Sequence, residues 1–115
     1  MIINEPNTMQ NGVANITPEH MRQVEVFLQG AAYAFMAQNG KNVDFEARTL
    51  VGGFNAASWA GTPLQYLVEA YDGDYNQAGK ACGRILFNVL QEDEQQRKLQ
   101  SSKEEGSPKS YRWVD

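Results

Sequence analysis

Three pairs of small residues, Gly30 with Ala34, Gly53 with Ala57, and Gly79 with Gly83, stand four apart inside segments that read as helices. Four-residue spacing places both members of a pair on one helix face. An interior glycine costs about 1 kcal/mol relative to alanine, so these positions need close helix packing to offset them or helix breaks to excuse them. The first account predicts a tightly crossed core in which larger side chains at Gly79 or Gly83 would push two helices apart.

The rest of the chain carries helix signals in series. Thr17 can accept from an orphan N–H, Pro18 occupies a first helical position and Glu19 complements the dipole, which predicts a helix ending at Asn39 and Gly40. From Gly30 to Ala37 it carries no charged or amide residue, so this half should be buried all round or covered by a partner. Asp44 reads as the cap of a second helix from Phe45 to about Trp59, weakened by Gly52 and Gly53. Thr62-Pro63 opens a short third helix, with Leu64, Leu67, Val68 and Tyr71 at i, i+3, i+4 and i+7. Asp74 caps a fourth, expected to run to about Leu99 and to bury Ala78, Cys82, Ile85, Leu86 and Val89.

The expected fold is therefore all-α, a single-domain bundle of about four helices spanning residues 16–99. Residues 1–15, with four asparagines (Asn4, Asn7, Asn11, Asn15), read as a flexible N-terminal arm. Residues 100–115 read as a polar C-terminal tail that ends in the aromatic segment Tyr111 to Asp115. Tyr111 and Trp113 are expected to fold back onto the body, the alternative being a partner-binding peptide.

A chain of 115 residues is long enough for one core without staples. The lone Cys82 excludes an internal disulfide and fits a reducing, cytoplasmic setting. No basic region followed by an apolar block opens the chain, and no apolar run approaches the length of a membrane span, so neither export nor a membrane is expected. The net charge is −4, and Arg22, Lys41, Arg48, Lys80 and Arg84 are scattered along the sequence. That pattern forms no phosphate-binding stripe and predicts no nucleic-acid partner.

Candidate chemistries fail on their spacing. Asp72, Asp74 and Asn76 match positions 1, 3 and 5 of a calcium loop, but Gln77 stands where glycine is needed and Gly83 where the closing glutamate is needed. A turn followed by a helix cap accounts for both aspartates. His20 is the only histidine and Cys82 sits among apolar residues, so no metal site is expected. A Cys82–His20 dyad would require a wet first turn to reach a core position. Ser58 lacks a nucleophile elbow, and Gly79 to Gly83 lacks the preceding strand and the glycine order of a phosphate cradle. No catalytic residue, metal or cofactor is expected.

What remains is a set of aromatics with apolar bodies and polar tips: Trp59, Tyr66, Tyr71, Tyr75, Tyr111 and Trp113. They support a small acidic non-enzymatic binding protein, an adaptor or stoichiometric inhibitor, that meets a protein partner through these six residues. One alternative is a small-molecule-binding protein or enzyme with a pocket lined by Trp59, Tyr66, Tyr71 and Glu69. Another is a self-associating structural subunit, a homo-oligomer in which the apolar half of the first helix meets its own copy.

Overall fold

The first helix, α1 (Pro18–Asn39), starts where its capping residues place it. Thr17 Oγ1 accepts from the His20 backbone N–H at 3.1 Å, and Gly40, with φ 74°, closes the far end. In the computed structural model, which describes residues 1–6, 9–10, 12–93 and 95–115, four further helices follow: α2 (Ala47–Val51), α3 (Ala56–Trp59), α4 (Gln65–Ala70) and α5 (Tyr75–Gln91). They are joined by two strands, β1 (Leu99–Ser102) and β2 (Ser110–Trp113).

The expected second helix is two short ones. Gly52 ends α2 in the left-handed region at φ 74° and Gly53 follows at φ 102°, conformations that side chains resist. Asn55 then caps α3, its Oδ1 accepting from the Ser58 N–H at 2.9 Å. Asp44 does not cap; its Oδ1 accepts from Arg112 Nε at 2.7 Å. Asp74 does cap α5, accepting from the N–H groups of Asn76 and Gln77.

The fold is mostly helical but not purely all-α. Helix α5 stops at Gln91 rather than near Leu99, because Asp93 turns the chain: its carboxylate accepts from Gln95 N–H at 2.9 Å and its carbonyl from Gln96 N–H at 3.0 Å. Leu99, released from the helix, enters an antiparallel ribbon in which Leu99 faces Trp113 and Ser101 faces Tyr111. The polar tail is thus a docked hairpin, with Tyr111 buried.

Each ribbon edge takes one more bridge. Ile2, inside the segment expected to be a loose arm, is buried and pairs in parallel with Leu99, while Phe45 pairs with Tyr111. The Asn4 side chain imitates a strand, donating to Ser101 O and accepting from Ser101 N–H, both at 2.8 Å. Asn7 and Asn11, also expected in the arm, lie outside the described residues.

The core gathers Val24, Leu28, Ala32 and Met36 of α1, Leu67 and Val68 of α4, and Ala78, Cys82, Ile85, Leu86 and Leu90 of α5, closed at one end by Ile2, Phe45, Leu99 and Tyr111. One compact body results, with a Cα radius of gyration of 13.5 Å. No helix among the described residues is long and apolar enough to cross a membrane.

The small-residue pairs do not mark tight helix crossings. A Cβ at Gly79 would lie 2.6 Å from Phe54 Cδ2, so that glycine admits a ring from the α2–α3 connection. Among the described residues, a Cβ at Gly83 or at Gly30 would meet nothing within 4 Å. The later half of α1 buries Ala32 and Met36 and exposes Gly30, Ala34 and Ala37, so it is not buried all round.

Candidate functional site

Helical spacing puts Asn76, Gly79, Lys80, Gly83, Arg84 and Phe87 on one face of α5. Two glycines in that face leave a trough instead of a ridge. The β1–β2 hairpin forms the facing wall with Lys103, Pro108, Lys109 and Tyr111, and Ala47, Arg48 and Phe54 form the third side. Together with Leu86 and Gln10 they enclose an open-mouthed cleft of about 500 Å3.

Its charge sets it apart. Five of the ten Lys and Arg residues line it, and among the described residues none of the fourteen Asp and Glu does. Cations that look scattered in the sequence thus converge in space, on a molecule whose net charge is −4. Arg48 and Lys80 have no ion-pair partner among the described residues, and the Arg48 guanidinium lies 5.5 Å from the centre of the Phe54 ring. Arg84 donates to the Tyr71 hydroxyl at 3.0 Å. Lys103 Nζ donates to Ser107 O at 2.6 Å, and Lys109 stands 5.0 Å over the Phe87 ring while pairing with Glu5 at 2.7 Å. That Lys109 bond, with one from Ser101, holds the Glu5 carboxyl below its usual range.

The aromatic residues expected at an interface are distributed differently. Trp59 is fully buried, its Nε1 donating to Gly53 O at 2.8 Å and its ring packed near Phe54 and Tyr75. Tyr66 stacks on His20 with centroids 3.7 Å apart, and Tyr71 receives Arg84. Burial raises the Tyr111 phenol pKa, and that ring forms part of the cleft floor. Trp113 is half-buried between the cations of Lys41 and Arg97, each 5.5 Å from its ring, with its Nε1 buried and unpartnered. Trp59, Tyr66, Tyr71 and Glu69 do not line the cleft; of the six expected residues it takes in Tyr111 alone. No protein-family model, curated protein or solved structure matches the chain.

The other candidates occupy structural positions. Cys82 is fully buried in α5, where desolvation pushes its thiol up to about 12. Ser58 Oγ donates to Gly52 O at 2.7 Å. Among the described residues no group of three or more His, Cys, Asp or Glu is placed to hold a metal. A second cavity of about 220 Å3 contains Asp44 and Arg112, which neutralise each other.

Sequence reasoning missed all five cations as site residues, because Arg48, Lys103 and Lys109 meet the α5 face of Lys80 and Arg84 only in the folded chain. One local signal did exist: Gly79-Lys80 and Gly83-Arg84 repeat a glycine–cation doublet one helical turn apart.

Proposed function

We propose that the protein is a non-enzymatic binding protein and that its ligand is an anion held in the cleft between α5 and the β1–β2 hairpin. The observation that carries this reading is the convergence of Arg48, Lys80, Arg84, Lys103 and Lys109 without an acid among the described lining residues. Like charges brought together oppose folding. A bound anion relieves that repulsion and gains charge-assisted hydrogen bonds in return.

Binding fits better than catalysis because the described lining residues offer cations, amides and one buried phenol, and no carboxylate, imidazole or thiol to move a proton. It also fits better than docking through the six expected aromatics, since Trp59, Tyr66 and Tyr71 are engaged in contacts of the body itself.

The test is thermal denaturation in sodium phosphate against sodium chloride at matched ionic strength, on the parent and on the double variant Arg48→Ser/Lys80→Ser. Phosphate at ten times its dissociation constant stabilises by about 1.4 kcal/mol, a melting shift of a few degrees. General salting effects act on both proteins alike. The parent should show a saturable extra shift that the variant lacks; equal shifts in the two would refute the reading.

A further inference from the structure

We infer that the anion this cleft takes is a phosphate ester of a small aromatic body, no larger than a mononucleotide, with its phosphate among Arg48, Lys80 and Arg84 and its ring over the bare helix surface at Gly83. This rests on the cleft being the binding site, and it adds the ligand's class.

The position of the ring follows from the two glycines. At Gly79 the missing side chain is replaced by the Phe54 ring, whereas at Gly83 no described residue comes within 4 Å of where a Cβ would stand. Among the described residues the vacant part of the cleft therefore lies over Gly83, where a flat group can approach the helix backbone closely. Lys80 and Arg84, one helical turn apart, flank that surface.

The charge points to phosphate. Arg48 and Lys80 carry two charges with no ion-pair partner among the described residues, so a single carboxylate would leave one unanswered, while a phosphate monoester brings up to two negative charges and three acceptor oxygens, and guanidinium groups match that geometry in bidentate fashion. The helix N-terminus takes no part, because Asp74 already accepts from Asn76 and Gln77 N–H. Side chains alone must hold the anion.

Arginine and lysine in this cleft already lie over aromatic rings, Arg48 over Phe54 and Lys109 over Phe87, and the same cation–π attraction favours an aromatic ligand body over an aliphatic one. About 500 Å3 lies within the roughly 300–1,000 Å3 of small-ligand sites. A polynucleotide would need the positive track to continue, and four of the five cations outside the cleft are paired with carboxylates. Outside the cleft, Lys41 and Lys98 pair with Asp115, Arg97 with Asp93, and Arg112 with Asp44.

Calorimetric titration with inorganic phosphate, phenyl phosphate and adenosine 5′-monophosphate tests the inference on the parent, Gly83→Leu and Arg48→Ser/Lys80→Ser. Phenyl phosphate and the nucleotide should bind the parent at least about tenfold tighter than inorganic phosphate. Gly83→Leu should abolish that advantage and keep inorganic phosphate binding; the double variant should lose all three. Circular dichroism checks folding, and Gly83→Ala, which should shrink the advantage, replaces the leucine variant if that one unfolds. Equal affinity of the parent for all three ligands would overturn the aromatic ester while leaving the anion cleft standing; no binding of any would overturn both. A phosphotyrosine peptide bound about tenfold tighter than phenyl phosphate would overturn the free small molecule in favour of a protein partner.

Discussion

Alanine at Gly83 should stabilise the protein and alanine at Gly79 should not, although both glycines lie inside α5 one turn apart. Replacing a helical glycine by alanine gains about 0.8–1.0 kcal/mol through backbone entropy. At Gly83 the added methyl meets no described residue within 4 Å, so the whole gain should appear, raising the melting temperature of a domain this size by roughly 3–5 °C. At Gly79 the methyl would lie 2.6 Å from Phe54 Cδ2 and 3.0 Å from its Cγ. The ring must retreat by about 1 Å to restore ordinary carbon contacts, against the Trp59 ring whose centroid is 5.8 Å away. Overpacking of this kind costs about 1–3 kcal/mol, which leaves Gly79→Ala between neutral and about 2 kcal/mol destabilised. Urea denaturation of both variants, with unchanged m-values as the check on two-state behaviour, reads the difference directly. In a Phe54→Ala background the clash is gone, so Gly79→Ala should then stabilise as Gly83→Ala does. Equal stabilisation by both single variants would refute the argument.

Three further outcomes follow from buried groups. Burial raises the Asp93 pKa, but the Tyr33 hydroxyl at 2.7 Å, the Gln95 N–H and Arg97 outweigh it and hold the carboxyl below its usual range. Its stabilising contribution is therefore present above the ordinary carboxylate range and lost as pH falls through the folded value; Asp93→Asn should be less stable than the parent at pH 7, with the gap closing toward pH 3 in denaturation curves. A gap independent of pH would contradict this. The Cys82 thiol, pushed up to about 12 by burial, should react with a disulfide reagent at pH 8 only at the rate of unfolding, and fast labelling of the native protein would show it is accessible. Tyr111→Ala should cost about 3 kcal/mol or more, because the ring is buried against Phe45 in the core; a loss under about 1 kcal/mol would mean that the hairpin contributes little to the body.

Local chemistry by itself determined α1, whose Thr17 cap, Pro18 and closing Gly40 act within one turn of each helix end, and likewise the Asp74 cap of α5. It also determined which side of α5 is buried, since Ala78, Cys82, Ile85, Leu86 and Val89 recur at helical period. Tertiary structure decided the rest. The Leu99 to Ser102 and Ser110 to Trp113 segments are short and mostly polar, and they become strands only because Ile2 and Phe45, distant in sequence, supply the outer bridges that bury Leu99 and Tyr111. The end of α5 depends on the same event, because Leu99 fits either a helix face or a ribbon and only the ribbon offers it a buried place. The cleft is the clearest case. Arg48, Lys80 and Lys109 are far apart along the chain, and no periodicity links them. Charge acts through space, so their convergence became readable only once α2, α5 and the hairpin had been packed together.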